Sequence, residues 1–250
     1  MTWSIVARDP ASNAFGIAVA SCFFAVGAMC PYMRSGAGAV SSQSLVNPYL
    51  GVWGLRLLES AVPAPAAIDA LVAADPGHAT RQLHAVDRRG RAGVYTGSDC
   101  VPWAGHCTDE AVSVAGNMLA GPAVVEDTLS TYLEHSDKPF AERLLRAMDA
   151  GERAGGDKRG RQGAALRIVS TEEYPDLDLR VDDHADAVAE LWRLYEVAHE
   201  RFTERVKLMP TRTDPAGIYR FEELNPELER RLAMQERPDF SEFWKNPVRP

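Results

Sequence analysis

Short apolar runs rich in β-branched residues, bounded by turn residues, punctuate the first half of the chain. Residues 3–8 (WSIVAR) and 15–20 (FGIAVA) are two such runs, joined by DPASNA, whose Asp-Pro and Ser-Asn pairs are turn chemistry. They predict an antiparallel hairpin that starts at the chain terminus. A glycine-rich approach (RSGAGAVSSQ) leads to a strand near 38–43, and YLGVWGLRLLES then shifts to helical spacing. PAPAAIDALVAADPG has proline in its first turn and an Asp-Pro-Gly stop, which brackets a second helix. RQLHAVDRRGRAGVYTG predicts two strands around Asp87–Gly90, and EAVSVAGN predicts another. Helical periodicity then runs from Gly121-Pro122 to about residue 152, interrupted at 135–139. GAALRIVS and LDLRV return to strand. DDHADAVAELWRLYEVAHERF predicts a long amphipathic helix capped by Asp182 or Asp183.

These blocks do not alternate strand by helix, which disfavours a doubly wound parallel sheet and favours a layered α+β arrangement of two antiparallel sheets covered by helices. The pattern changes again near residue 206. From there prolines, charges and scattered aromatics predict an extended or partly helical C-terminal extension (206–250) without a core of its own, following a main domain over 1–205.

Composition narrows the function classes. The 250 residues are 46% hydrophobic and 25% charged, an ordinary globular balance. A formal net charge of -8 argues against a nucleic-acid binder, which needs a concentrated basic surface. No apolar run approaches the roughly 20 residues of a membrane helix. Arg8 and Asp9 stand where a secretory leader would need its hydrophobic stretch. The expectation is a cytoplasmic protein with no membrane and no nucleic-acid partner; a homo-oligomer, such as a dimer, stays open. The four cysteines form no CxxC pair and predict reduced thiols. Cys100, His106 and Cys107 cluster, but their spacing fits no familiar zinc site and a fourth ligand is missing, so no metal is expected.

Thr2 directly follows the initiator methionine. A secondary alcohol is a poor nucleophile at neutral pH and needs a base within hydrogen-bond reach. With Met1 removed, Thr2 would carry that base itself, as an α-amine whose ordinary pKa is about 7.7–8.0. Because the strand starts at Trp3, this group would sit on a rigid support.

The stretches TWSIVARDP, FGIAVAS, VGAMCPY, GAGAVSSQSLVNPYLG, WAGH, VAGNMLAG, AERLLRAMDAGERAGGDKRGRQGAALRIV and LDLRVDDH closely resemble the DUF1028 family, proteins related to the N-terminal nucleophile (Ntn) hydrolases. The likeness runs from residue 2 to about 200. It implies a four-layer αββα sandwich, Ntn-hydrolase-like, with the active site where the first strand begins between the sheets. It also implies amide-bond hydrolysis by the first residue of the processed chain.

Candidate partners for Thr2 follow. The loop AGGDKRGRQG (154–163) sets Asp157, Lys158, Arg159, Arg161 and Gln162 among glycines between a helix and a strand. Asp157 is expected to orient the amine, and Arg161 and Arg159 to bind an anionic substrate group. A solvated charge run with local Asp-Arg pairing is the competing reading. Asn117, at a strand end, is a candidate oxyanion donor, although Gly-Asn is also a common turn. Ser21, ending the second strand, is placed to relay a proton. Ser42 and Gln43, in the polar run Ser41–Gln43, are expected to line the pocket. His106 reads first as structural, beside Trp103, and Arg180 with Asp182 as an ion pair.

The combined reading is an N-terminal-threonine hydrolase of a small anionic amide, needing no metal or organic cofactor. The alternative is a non-catalytic protein of the same fold that binds a small ligand or a partner protein. Intact-mass measurement of protein from its native host should show a chain beginning at Thr2. Full retention of Met1 would remove the α-amine from the mechanism.

Overall fold

The computed structural model describes residues 2–235. β1 (Thr2–Arg8) and β2 (Phe15–Ser21) form the expected hairpin, with Trp3 opposite Ala20 and Arg8 opposite Phe15. The other edge of β1 pairs with β8 (Val112–Asn117), placing Thr2 opposite Asn117. With β7 (Gly105–Asp109), β9 (Gly163–Val169) and β10 (Leu177–Val181) these strands make a six-stranded sheet ordered β10-β9-β2-β1-β8-β7. A second sheet, ordered β3-β4-β5-β6, is built from β3 (Pro31–Arg34), β4 (Gly38–Ser44), β5 (Arg81–Asp87) and β6 (Ala92–Thr96). Every pairing between strands is antiparallel.

The sheets stack face to face, with β1 and β8 lying over β4 and β5. α2 (Pro48–Glu59) and α3 (Ala64–Ala74) cover the outer face of the smaller sheet, where Leu50, Leu58, Ile68 and Leu71 pack on Val40 and Leu83. Asn47 starts α2 by accepting from the Tyr49 N–H at 3.1 Å, ahead of Pro48 in the first turn. α4 (Ala123–Glu134) and α5 (Phe140–Arg153) cover the outer face of the larger sheet. The layers therefore run helix, sheet, sheet, helix: the layered α+β class expected from the block pattern, in the four-layer order that the family resemblance implies.

Alternation along β1 gives each layer its own residues. Trp3 and Ile5 face the helices; Thr2, Ser4 and Val6 face the second sheet. Far from Thr2 the space between the sheets is apolar, filled by Val6, Phe15, Ile17, Met33, Ala39 and Val86. Near Thr2 it is polar. The short helix α1 (Val26–Met29) fills the inner face beside β2 and β9 through Val26 and Cys30, which pack on Val19 and Ala165.

Three features differ from the sequence expectation. β3 and β7 have no counterpart in it: both are edge strands, and β7 (GHCTD) is so exposed that it carries no apolar alternation. The cap of the helix α6 (Ala187–Ala198) is neither Asp182 nor Asp183 but Asp186, whose Oδ1 accepts from the Ala189 N–H at 3.3 Å. Asp182 instead pairs with Arg180 at 2.8 Å, and Asp183 accepts from Gln162.

The chain divides into two compact units, one ending at Leu191 and the next beginning at Trp192, whereas the composition change suggested a boundary near 205. The second unit contains α7 (Phe202–Val206) and α8 (Phe221–Met234), and Leu208, Leu224 and Leu228 form a small apolar cluster there. Residues 236–250 of the expected extension lie outside the described residues. Among the described residues no helix is long and apolar enough to cross a membrane.

Gly93 tests the packing of α3 on the smaller sheet. A Cβ there would come within 2.4 Å of the Ala64 carbonyl oxygen, a backbone atom with no rotamer to change. Gly93→Ala should cost on the order of 1–3 kcal/mol in urea unfolding; an unchanged midpoint would contradict this packing.

Candidate active site

Trp3 seats the start of β1. Trp3 is 1% exposed and lies against three glycines: a Cβ would approach its own Cβ to 3.0 Å at Gly116 and its ring to 2.7 Å at Gly151 and 3.2 Å at Gly156. Thr2, the next residue toward the terminus, therefore starts from a fixed point. It is 3% exposed and points into the space between the sheets.

The Thr2 hydroxyl donates to Ser21 Oγ at 3.2 Å. The Thr2 carbonyl accepts from Asn117 Nδ2 at 3.3 Å. The other Asn117 amide proton goes to Gln82 Oε1 at 2.9 Å, which also accepts from Gln43 Nε2 at 2.9 Å. Gln82 Nε2 is held by the carbonyls of Gly105 and Gly116 and by Thr96 Oγ1. Thr96 in turn meets His106 Nδ1 at 2.8 Å, so His106 reaches this network from its rim.

Gln43 carries the chain of bonds inward. Its Nε2 also donates to the Ala115 carbonyl, and its Oε1 accepts from Ser41 and, at 2.6 Å, from Ser4. Having given its proton to Gln43, Ser4 accepts from His84 Nε2 at 2.7 Å. His84 is thus the neutral Nε2–H tautomer, and its Nδ1 accepts from Ser113 Oγ at 3.1 Å. Burial pushes His84 down to about 3, with the nearby His106 adding to the effect. This polar lattice joins both sheets behind Thr2. It is fully enclosed: Ser4, Ser41, Gln43, Gln82, His84 and Ser113 are all 0% exposed.

Asp157 closes the other side. It is 5% exposed; its Oδ2 accepts from the Cys22 N–H at 2.8 Å, and its backbone bridges to Leu119. Cys22 follows Ser21 on one flank of β1, and Leu119 lies two residues past Asn117 on the other. Asp157 therefore spans the two strands that flank Thr2, at the end where the chain begins. Arg159 binds the same carboxylate through its N–H at 3.0 Å and its guanidinium at 2.9 Å. Lys158 Nζ donates to the Pro102 carbonyl at 2.7 Å, tying down the same loop.

The structure thus gathers Thr2, Ser21, Asn117, Asp157, Arg159 and Gln43 around one strand end. Ser42 and Arg161 stand apart. Ser42 lies on the opposite face of β4 and donates to the Asn47 carbonyl at 2.9 Å. Arg161 is held between Glu152 at 2.5 Å and Asp186 at 3.2 Å, beside a crevice near Trp3 and Ser21 too tight for a water molecule. Burial raises the Glu152 pKa, partly offset by Arg161. Among the described residues no group of three or more His, Cys, Asp and Glu is arranged to hold a metal ion. Cys100 and Cys107 donate instead to the carbonyls of Arg81 and Val125, and burial pushes the Cys107 thiol up to about 11.

Sequence reasoning missed Ser4, Gln82, His84 and Ser113. Their signal is polar side chains alternating with apolar ones, a pattern shared by a face toward water and a face between two sheets.

The geometry defines a layered α+β protein with a buried polar site at the head of its first strand. The chain belongs to the family described as a family of unknown function (DUF1028), whose model matches residues 2–191. It is similar to protein SPO2555 from Silicibacter pomeroyi, a solved structure of that family: 30% identity, 87% of this chain and 95% of that chain covered, TM-score 0.81. A likeness to Anbu (ancestral beta-subunit) from Yersinia bercovieri covers 77% of this chain and 92% of that chain at 14% identity and a TM-score of 0.35, and nothing about this chain follows from it. No curated protein matches.

His84 gives the site a pH signature. Unfolded histidine binds its proton near 6.5, the folded residue only near 3. Its contribution to stability is thus complete above pH 6.5 and is lost as pH falls from 6.5 toward 3, at up to about 1.4 kcal/mol per pH unit. His84→Gln should be less stable than wild type at pH 7, with the gap narrowing by pH 4.5 in urea unfolding. Because His106 is present in both proteins, the difference isolates His84. A gap that stays constant with pH would mean His84 binds its proton equally well in the folded and unfolded chain.

Proposed function

We propose that the protein is an N-terminal-threonine amide hydrolase, active once Met1 is removed, as the family's relation to the Ntn hydrolases implies. The observation that carries this reading is the placement of Asp157 across the two strands flanking Thr2, with the Thr2 hydroxyl 3.2 Å from Ser21.

In this mechanism Thr2 Oγ1 attacks the amide carbonyl, and the α-amine takes the hydroxyl proton directly or through Ser21. Asp157 orients the amine and stabilises the ammonium formed when it takes up that proton. The amine then protonates the leaving nitrogen, and water releases the acyl group from Thr2. Both Asn117 amide protons are already given to Thr2 and Gln82, so Asn117 sets the position of Thr2 and the oxyanion falls to backbone N–H groups. Arg159, beside Asp157, is the cation best placed for an anionic substituent of the substrate. Arg161 serves the scaffold. The chemistry needs no metal or organic cofactor.

A second reading, a non-catalytic protein of the same fold that binds a small ligand, is favoured by the burial of Thr2 at 3% exposure. One experiment separates the two. A β-lactone, which opens on the nucleophile without losing an atom, should add its full mass to the N-terminal peptide of protein lacking Met1. Thr2→Ser should still be labelled and Thr2→Ala should not. Equal labelling of Thr2→Ala and wild type would end the catalytic reading.

A further inference from the structure

The opposite end of β1 holds a second opening. Six residues separate Thr2 from Arg8, so at about 3.3 Å per residue the two ends lie roughly 20 Å apart. Beyond Arg8 a cleft of about 400 Å³ enters the protein, a size within the range of small-ligand sites.

Its floor is made of three turns from both sheets: β1–β2 at Arg8, β5–β6 at Gly90 and β7–β8 at Ala111. Backbone bonds stitch them together, from Arg8 N to the Ala111 carbonyl at 2.8 Å and from Ala111 N to the Gly90 carbonyl at 3.0 Å. One wall is α4 and α5, through Tyr132 and Arg143. The floor is bound together, so the cleft does not depend on a loose loop.

Three arginines line this cleft, Arg8, Arg89 and Arg143, together with the acids Asp9 and Glu110. In a chain with 35 acidic and 27 basic residues, an arginine has carboxylates to spare. Several elsewhere are paired closely: Arg81 meets Asp75 at 2.9 Å, Arg91 meets Asp87 at 2.7 Å and Arg161 meets Glu152 at 2.5 Å. The cleft arginines are different. Arg143 stacks over the Tyr132 ring at 4.2 Å, its nearest carboxylate is Asp9 at 3.8 Å, and its buried Nε has no hydrogen-bond partner. Asp9 is meanwhile engaged by the backbone N–H and hydroxyl of Ser12. Among the described residues the Arg8 side chain donates to neutral Asn13 and to no carboxylate. No described residue forms an ion pair with Arg89. Guanidinium groups without a close carboxylate keep N–H donors for a bound anion.

We propose that this cleft is a second binding site, separate from Thr2, for a small anion whose phosphate or carboxylate group is held by Arg143, Arg89 and Arg8. The planar guanidiniums suit either group, since both accept paired N–H bonds. The volume leaves room for an organic body on the anion.

The test is thermal unfolding of the full chain with inorganic phosphate or with succinate, each against sodium chloride at matched ionic strength. At least one anion should raise Tm in a saturable way that chloride does not reproduce. Arg89→Ala should weaken that apparent affinity at least tenfold, and Arg143→Gln should do the same in whatever fraction folds by circular dichroism. Arg88→Ala, outside the cleft, should keep it. A response to phosphate alone identifies a phosphate ligand; one to succinate alone identifies a carboxylate. The proposal is overturned if chloride matches both anions, or if Arg89→Ala responds as Arg88→Ala does.

Discussion

Side-chain amides buried between two sheets constrain everything near the head of the first strand. Gln43, Gln82 and Asn117 lie where a sandwich would ordinarily put aliphatic carbon, and each buried amide left unpaired would cost on the order of 1–3 kcal/mol. The solution is reciprocal: Gln82 Oε1 takes one proton from each of the other two, and the remaining protons go to strand carbonyls and the Thr2 carbonyl. Such a lattice tolerates little movement, because shifting one strand strands several partners at once. It therefore fixes the register of β1 against β4, β5 and β8. The apolar half of the same interface supplies burial, and the polar half supplies uniqueness of arrangement.

Much of this architecture is legible in the sequence. The hairpin of β1 and β2, the strands β4, β5, β6, β8, β9 and β10, and the helices α2 to α6 all announce themselves by turn residues and periodicity. What escapes does so for physical reasons. β3 and β7 sit at sheet edges, with one neighbour each and little need for apolar alternation. Within the candidate site, Thr2, Ser21 and Asn117 are readable because they end strands, and Asp157 because glycines surround it. Gln82 and His84 are not, since alternating polar residues normally mark a face toward water and only the stacking of a second sheet turns that face inward. The Arg161 partners are equally hidden: Glu152 and Asp186 come from two different helix ends.

One strand organises both ends of the molecule. At its head, Trp3 is pinned by glycines so that Thr2 and its neighbours keep one geometry. At its tail, the backbone of Arg8 is tied to the β7–β8 turn and its side chain opens on the basic cleft. Between them Ser4 and Val6 mark the change from a polar to an apolar interior, two residues apart on the same face. The division of labour follows from the pleat: the helix-facing side of β1 supplies anchorage, and the sheet-facing side supplies chemistry at one end and burial at the other.

The central place of β1 also sets a clock during synthesis. The strand that completes its far edge ends only at Asn117, and the loop that closes its head comes later still, at Asp157. At about 5–20 residues per second, β8 trails β1 by on the order of 10 s. Throughout that interval β1 has a hairpin partner on one side only. The head of β1 is therefore closed by parts of the chain made long after it, so the polar site at Thr2 takes its final shape only once residue 157 has been synthesised.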